Sequence, residues 1–160
     1  MNERVKNSVS WWILKEHNLQ YPHNAGKDVF IAFFIYYMCL DAMLTAESGI
    51  DSDSGRLKWL IRTKNELRQA FEDDALDKSS LSELKRLSPV YDMRPGHLTE
   101  SVALNDIGNF KEVVDFIYQI RCNFFHGGKS LQENRDIEIV TYAGKFLEKW
   151  IKYLVPCGIR

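Results

Sequence analysis

The chain has 160 residues, 45% hydrophobic and 27% charged, the ordinary make-up of one soluble globular domain with a single core spanning residues 1–160. Its 21 Lys and Arg against 22 Asp and Glu leave a net charge of −1, which excludes a global basic field as the means of holding nucleic acid; an RNA contact would have to come from a local patch. The three cysteines, Cys39, Cys122 and Cys157, are odd in number and show no paired spacing, which speaks against a disulfide frame and for reduced thiols in a cytoplasmic protein.

The polar, charged start shows no signal peptide. Helix is expected over Glu3 to Asn18, where Val5, Val9, Trp12 and Ile13 keep a helical spacing, and Trp11 beside Trp12 covers more than one face. Tyr21-Pro22 and Asn24-Ala25-Gly26 break the chain. Asp28 is placed as the cap of a second helix running to about Ala46. Its apolar run, Val29 to Leu40, is twelve residues long and followed by Asp41, too short to span a bilayer, so it reads as a buried central strut with part of its surface at a dimer interface. A third helix is expected from Ser54 or Gly55. It carries Leu57, Leu60, Ile61, Lys64, Leu67 and Phe71 on one stripe, and Arg56, Lys58, Arg62, Lys64 and Arg68 make its exposed side basic. A short helix with Leu81, Leu84 and Leu87 ends at Pro89.

Residues Pro89 to Asn105 form the longest irregular stretch, of a length often found in functional lids. Asn105 or Asp106 is then expected to cap a helix that runs through Phe110 to Tyr118 and beyond. A final helix from Gln132 to Leu154 buries Ile137, Val140, Ala143, Phe146, Leu147, Trp150, Ile151 and Leu154, and Pro156 ends it. Strand-period alternation is not convincing anywhere, so the expected fold is all-α, an antiparallel bundle of four to five helices joined by short loops.

The chemistry concentrates in Ile120-Arg121-Cys122-Asn123-Phe124-Phe125-His126-Gly127-Gly128-Lys129-Ser130. The glycine pair breaks the preceding helix, which puts His126 in or just after its last turn. On an ideal helix Arg121 and His126 are about 140° apart, so they share a site only if the helix unwinds there or two copies of the chain meet. Asn123 and His126, three apart, can touch, and the amide then fixes one imidazole tautomer. The helix C-terminus favours imidazolium and Arg121 opposes it, leaving the histidine pKa open.

This motif resembles that of HEPN domains (higher eukaryotes and prokaryotes nucleotide-binding). Their signature is Arg, a polar residue close behind it, four to six intervening positions and then His. The Arg121-x-Asn123-x-x-His126-Gly127 string is similar to the ApeA-like branch. One departure is that Cys122 stands directly after the arginine, where the family often has Asn, Asp or His. The resemblance implies a helical homodimer with the Arg/His pairs of two subunits meeting in a cleft. It implies a metal-independent RNA endonuclease of the toxin–antitoxin or phage-defence kind, with Arg121, His126 and Asn123 as catalytic residues and no cofactor. The alternative is a non-catalytic module that binds nucleotide, RNA or a cognate antitoxin protein.

Each residue also has a plainer use. Arg121 can pair with a carboxylate such as Asp115 or Glu112, and His126 can bind loose carbonyls at the helix end. Asn123 can satisfy backbone groups, and Tyr118 can be core with its hydroxyl satisfied. The substrate-binding reading gives Lys129 a phosphate contact and has Tyr118, one turn before Arg121, line the cleft. Cys122 and His126 have a metal-compatible spacing, but no further His or Cys pair stands near to complete a zinc site, and no metal is expected. There is no nucleophile elbow or His-Glu-x-x-His helix, and Gly127-Gly128-Lys129-Ser130 lacks the earlier glycine and the strand of a phosphate-binding loop.

Overall fold

A computed structural model describes residues 25–93, 100–125 and 133–155. The predicted first helix, with Trp11 and Trp12, lies outside the described residues, as do His126, Lys129 and Cys157. The protein is all-α in character: six helices and one two-stranded ladder make up the described elements.

Helix α1, Ala25–Ser48, starts and ends slightly beyond its expected bounds. Its Phe33, Tyr36, Tyr37, Leu40, Met43 and Leu44 are buried in the core. Around the helix the apolar character continues past the twelve-residue run: by length and composition, Val29–Ser48 is long and apolar enough to cross a membrane, with a mean hydropathy of 1.9, although 44% of it is buried against the rest of the protein. Gly49, at φ 65°, follows the helix, and its amide bonds back to the Thr45 carbonyl; that left-handed conformation is one glycine adopts without a Cβ clash.

The expected third helix is two helices, α2 (Asp53–Arg62) and α3 (Glu66–Glu72). Thr63 is extended, and Asn65 makes the break favourable. Its side-chain oxygen accepts from Arg68 N at 2.8 Å, capping α3, while its amide nitrogen donates to the Leu60 and Thr63 carbonyls at the end of α2. Leu60 and Leu67 are both fully buried although the helix between them is interrupted. Lys64, the odd member of the stripe, falls in the break and is exposed. The expected basic surface is smaller than its sequence suggests. Arg56 is 6% exposed, and the half-buried Arg68 lies over the Phe110 ring and bonds to Glu72 and the Ile61 carbonyl, which leaves Lys58, Arg62 and Lys64 as its exposed cations.

Helix α4, Ser79–Leu87, buries Leu81, Leu84 and Leu87 as expected. The stretch from Pro89 to Asn105 is not wholly irregular: β1 (Val90–Tyr91) and β2 (Ser101–Val102) pair antiparallel, Val90 opposite Val102 and Tyr91 opposite Ser101. Helix α5 is Phe110–Phe125. Its cap is Asn109, not Asn105 or Asp106. The Asn109 side chain accepts from Glu112 N, and the Glu112 carboxylate reaches back to accept from the amides of Asn105 and Asp106, a reciprocal arrangement that satisfies donors on both sides of the helix start.

Helix α6, Asn134–Leu154, buries the expected face, with Ile137 and Leu154 only half-buried at its ends. Phe33 of α1 meets Gly144 and Tyr36 meets Lys152, so α1 and α6 run side by side in the same direction. The last turn of α5, from Arg121 to Phe125, meets α1 at Phe30, Phe34 and Tyr37. At the other end of α5, Phe110 packs with Phe71, Phe146 and Trp150 in an aromatic cluster, and Trp150 Nε1 donates to the Leu67 carbonyl at 2.8 Å. That cluster anchors α5, and its last turn carries Arg121.

Candidate functional site

Helix α5 has Val113, Val114, Phe116, Ile117 and Ile120 in the core. This fixes the rotation of its last turn: Cys122 and Asn123 are buried, while the Arg121 side chain keeps 19% of its surface. Arg121 points towards α1 and α2. Its guanidinium lies over the Phe125 ring at 4.7 Å and the Tyr37 ring at 5.7 Å. Such cation–π contacts contribute about 0.5–2 kcal/mol each, depending on how far they are withdrawn from water. The Phe125 ring is itself stacked on Phe34 of α1, with centroids 5.1 Å apart. The guanidinium thus rests on a ledge of aromatic rings.

Its ion-pair partner is Asp53, the first residue of α2: Arg121 Nη2 lies 3.0 Å from Asp53 Oδ2. The other oxygen of Asp53 accepts from Arg56 Nη2. Arg56 is buried and fully engaged. It donates from Nε and Nη2 to Asp41 Oδ1 at 3.1 and 2.8 Å, and from Nη1 to the carbonyls of Ile50 and Asp51. A chain of alternating charge, Asp41–Arg56–Asp53–Arg121, therefore runs from α1 through α2 to α5. Within it the Arg121 Nε is buried and makes no hydrogen bond among the described residues. Burial works against the charged form of Arg121, but the Tyr37 oxygen and the Asp53 carboxylate outweigh it and hold its pKa above the ordinary arginine value. Tyr37, for its part, has its phenol pushed up, chiefly by burial.

Tyr118 is half-buried one turn before Arg121. Burial first, and then a hydrogen bond with Cys122, raise its phenol above the usual tyrosine value, so its hydroxyl stays protonated. Asn123 faces elsewhere. Its oxygen accepts from Met93 N at 3.2 Å and from Gln119 Nε2 at 3.0 Å, and its nitrogen donates to the Tyr91 carbonyl at 2.8 Å. The helix thus brings Tyr118 near Arg121 but turns Asn123 towards β1. His126 and Lys129, the other two members of the expected site, lie outside the described residues.

Sequence reasoning missed Asp53, Tyr37 and Phe125 as neighbours of Arg121, and named Asp115 and Glu112 as its candidate partners instead. Asp115 pairs with Lys111, and Glu112 serves the helix start. The Asp53–Arg56 spacing of three was a legible local signal. The link to Arg121 was not, because it joins residues 68 positions apart (53 to 121) that only the tertiary fold brings together. Among the described residues, no group of three or more His, Cys, Asp or Glu side chains is placed to hold a metal ion.

Comparison with protein-family models, with curated proteins and with solved structures finds no match for this chain.

Proposed function

We propose that the protein binds RNA phosphodiesters at Arg121 and cleaves them without a metal, as a HEPN-type endoribonuclease acting as a homodimer. The observation that supports this reading is the setting of Arg121: a permanently charged guanidinium, one-fifth exposed, held on aromatic rings at the end of a well-anchored helix, five residues before His126. A guanidinium presents paired donors that match phosphate oxygens. The reaction is an intramolecular transfer. The ribose 2′-hydroxyl loses its proton and its oxygen bonds to phosphorus; the bond to the 5′-oxygen breaks, and that oxygen takes a proton, leaving a cyclic phosphate and a 5′-hydroxyl. His126 serves as base or acid, with its counterpart in the second subunit in the complementary role, and Arg121 offsets the charge growing on the phosphorane oxygens. Tyr118 and Lys129 are the further substrate contacts in this reading.

The dimer part of the reading has its own support. Phe34 and Met38, one turn apart on α1, are 37% and 48% exposed, and Phe34 is continuous with the Arg121 ledge through Phe125. A copy docked on that face brings two arginines towards one groove. The test is cleavage of single-stranded RNA in chelator by the purified protein, Arg121→Ala and His126→Ala. We expect cyclic-phosphate products from the first and a loss of about 100-fold or more in each variant. Cleavage unchanged in both variants overturns the mechanism.

A second reading, a non-catalytic module that binds nucleotide, RNA or an antitoxin protein, is favoured by Asn123. Its amide is committed to Gln119 and to backbone groups of the β1 segment. Stoichiometric binding of RNA by Arg121 without turnover would select it.

A further inference from the structure

Asp53 holds a seat between two guanidinium groups, one oxygen towards Arg56 and the other 3.0 Å from Arg121. Two oxygens of one anion bridging two arginines is also the way a phosphate group is held. We propose that Asp53 is an internal competitor for the phosphate-binding guanidinium of Arg121, which a phosphodiester must displace or outbid. This inference rests on the phosphate-binding reading of Arg121 given above, and assigns the residue that sets its affinity.

Three features favour competition over simple positioning. The guanidinium does not depend on Asp53 for its place, because the Phe125 and Tyr37 rings hold it independently. Asp53 need not leave Arg56 to give up Arg121 either, since its Oδ1 serves Arg56 and its Oδ2 serves Arg121. Finally, the pair is unequally buried. The Arg56 side chain is 7% exposed and lies out of reach of a large ligand, while those of Arg121 and Asp53 are 19% and 35% exposed. The exchangeable partner is therefore Arg121. The four-residue chain sums to zero charge, so an approaching phosphate meets a guanidinium already neutralised and a carboxylate that repels it. Without the carboxylate, the same place carries a net positive charge on an intact aromatic support.

The experiment is fluorescence anisotropy at low ionic strength with a short fluorescein-labelled oligodeoxyuridylate, which has phosphodiesters but no 2′-hydroxyl and so is not consumed. The proteins are the full chain, Asp53→Asn, Arg121→Gln and the double variant. Competition predicts that Asp53→Asn binds about three- to tenfold more tightly than the unaltered chain. It also predicts that the gain vanishes when Arg121 is Gln. Binding that is unchanged or weaker in Asp53→Asn, while Arg121→Gln still weakens it, overturns the inference and leaves the phosphate-binding reading standing. Binding that is indifferent to Arg121→Gln removes that reading, and the inference with it. Should Asp53→Asn fail to fold, NMR on the unaltered chain decides. Titration with the same oligonucleotide should move both the Arg121 Nε–Hε signal and the Asp53 carboxyl carbon. Movement of the first without the second overturns the competition.

Discussion

At the end of α5, two polar side chains two positions apart answer to different neighbours. Arg121 faces α1 and α2 and keeps part of its surface, while Asn123 is 2% exposed and ties α5 to the β1 segment through Tyr91 and Met93. The two should separate in mutagenesis. Asn123→Ala leaves the buried Gln119 amide without its partner, at a cost of about 1–3 kcal/mol, and releases the part-buried Tyr91 carbonyl and Met93 amide as well. We expect a fall in the urea midpoint of corresponding size, with the slope unchanged. Arg121→Gln breaks a part-exposed ion pair and two cation–π contacts, a loss of about 1–3 kcal/mol, and unlike Asn123→Ala it should weaken phosphate binding. A stability loss confined to Arg121→Gln would invert this assignment. At this scale the sequence was legible where the signal is local. The Arg121/Asn123/His126 grouping stands out by composition, and positions two apart on a helix face opposite ways, but the neighbours that each of the two meets are not written in it. Arg56 is the sharper case. It sits among Lys58, Arg62 and Lys64 and reads as one more surface cation, yet it is buried because Asp41, fifteen residues earlier on another helix, waits for it.

Between elements, α1 and α6 come close at Gly144. A Cβ placed there would lie 3.4 Å from the backbone Cα and N of Phe33, so the glycine lets two helices meet backbone to backbone. Gly in a helix interior costs about 1 kcal/mol relative to Ala, and the close packing offsets that loss. Gly144→Leu has to push the helices apart and should lower stability by about 1–3 kcal/mol, read from chemical denaturation; an unchanged midpoint would mean that the interface is loose. Helix identity and the buried faces of α4, α5 and α6 follow from the 3.6-residue period and were legible. The start of α5 and the split between α2 and α3 were not read. Both depend on which of several Asn and Asp residues turns its side chain to the backbone, and of Asn105, Asp106 and Asn109 only Asn109 has a glutamate three positions on, a signal that was there to use.

For the whole molecule, the continuous apolar character of α1 leaves a surplus beyond one core. Phe34 and Met38 remain exposed, beside rings that carry Arg121. Met38→Glu is the cleaner probe, since Phe34 also stacks on Phe125. If this face joins two copies, sedimentation should show the unaltered chain as a dimer and the variant as a monomer, with RNA cleavage falling in parallel. A dimer that survives Met38→Glu puts the contact elsewhere. The bundle as a class was readable from pattern alone, but the short β1–β2 ladder was not, because two residues per strand are too few to show alternation. That ladder has a consequence for how the chain tolerates change. Val90 and Val102 are partners, and the Asp92 amide donates to the Glu100 carbonyl at 2.9 Å, so two points eight or more positions apart in the chain are pinned side by side. Because the pinned ends already fix the closure, lengthening the chain between them adds a closure entropy that grows only with the logarithm of its length, about 0.6 kcal/mol for each doubling.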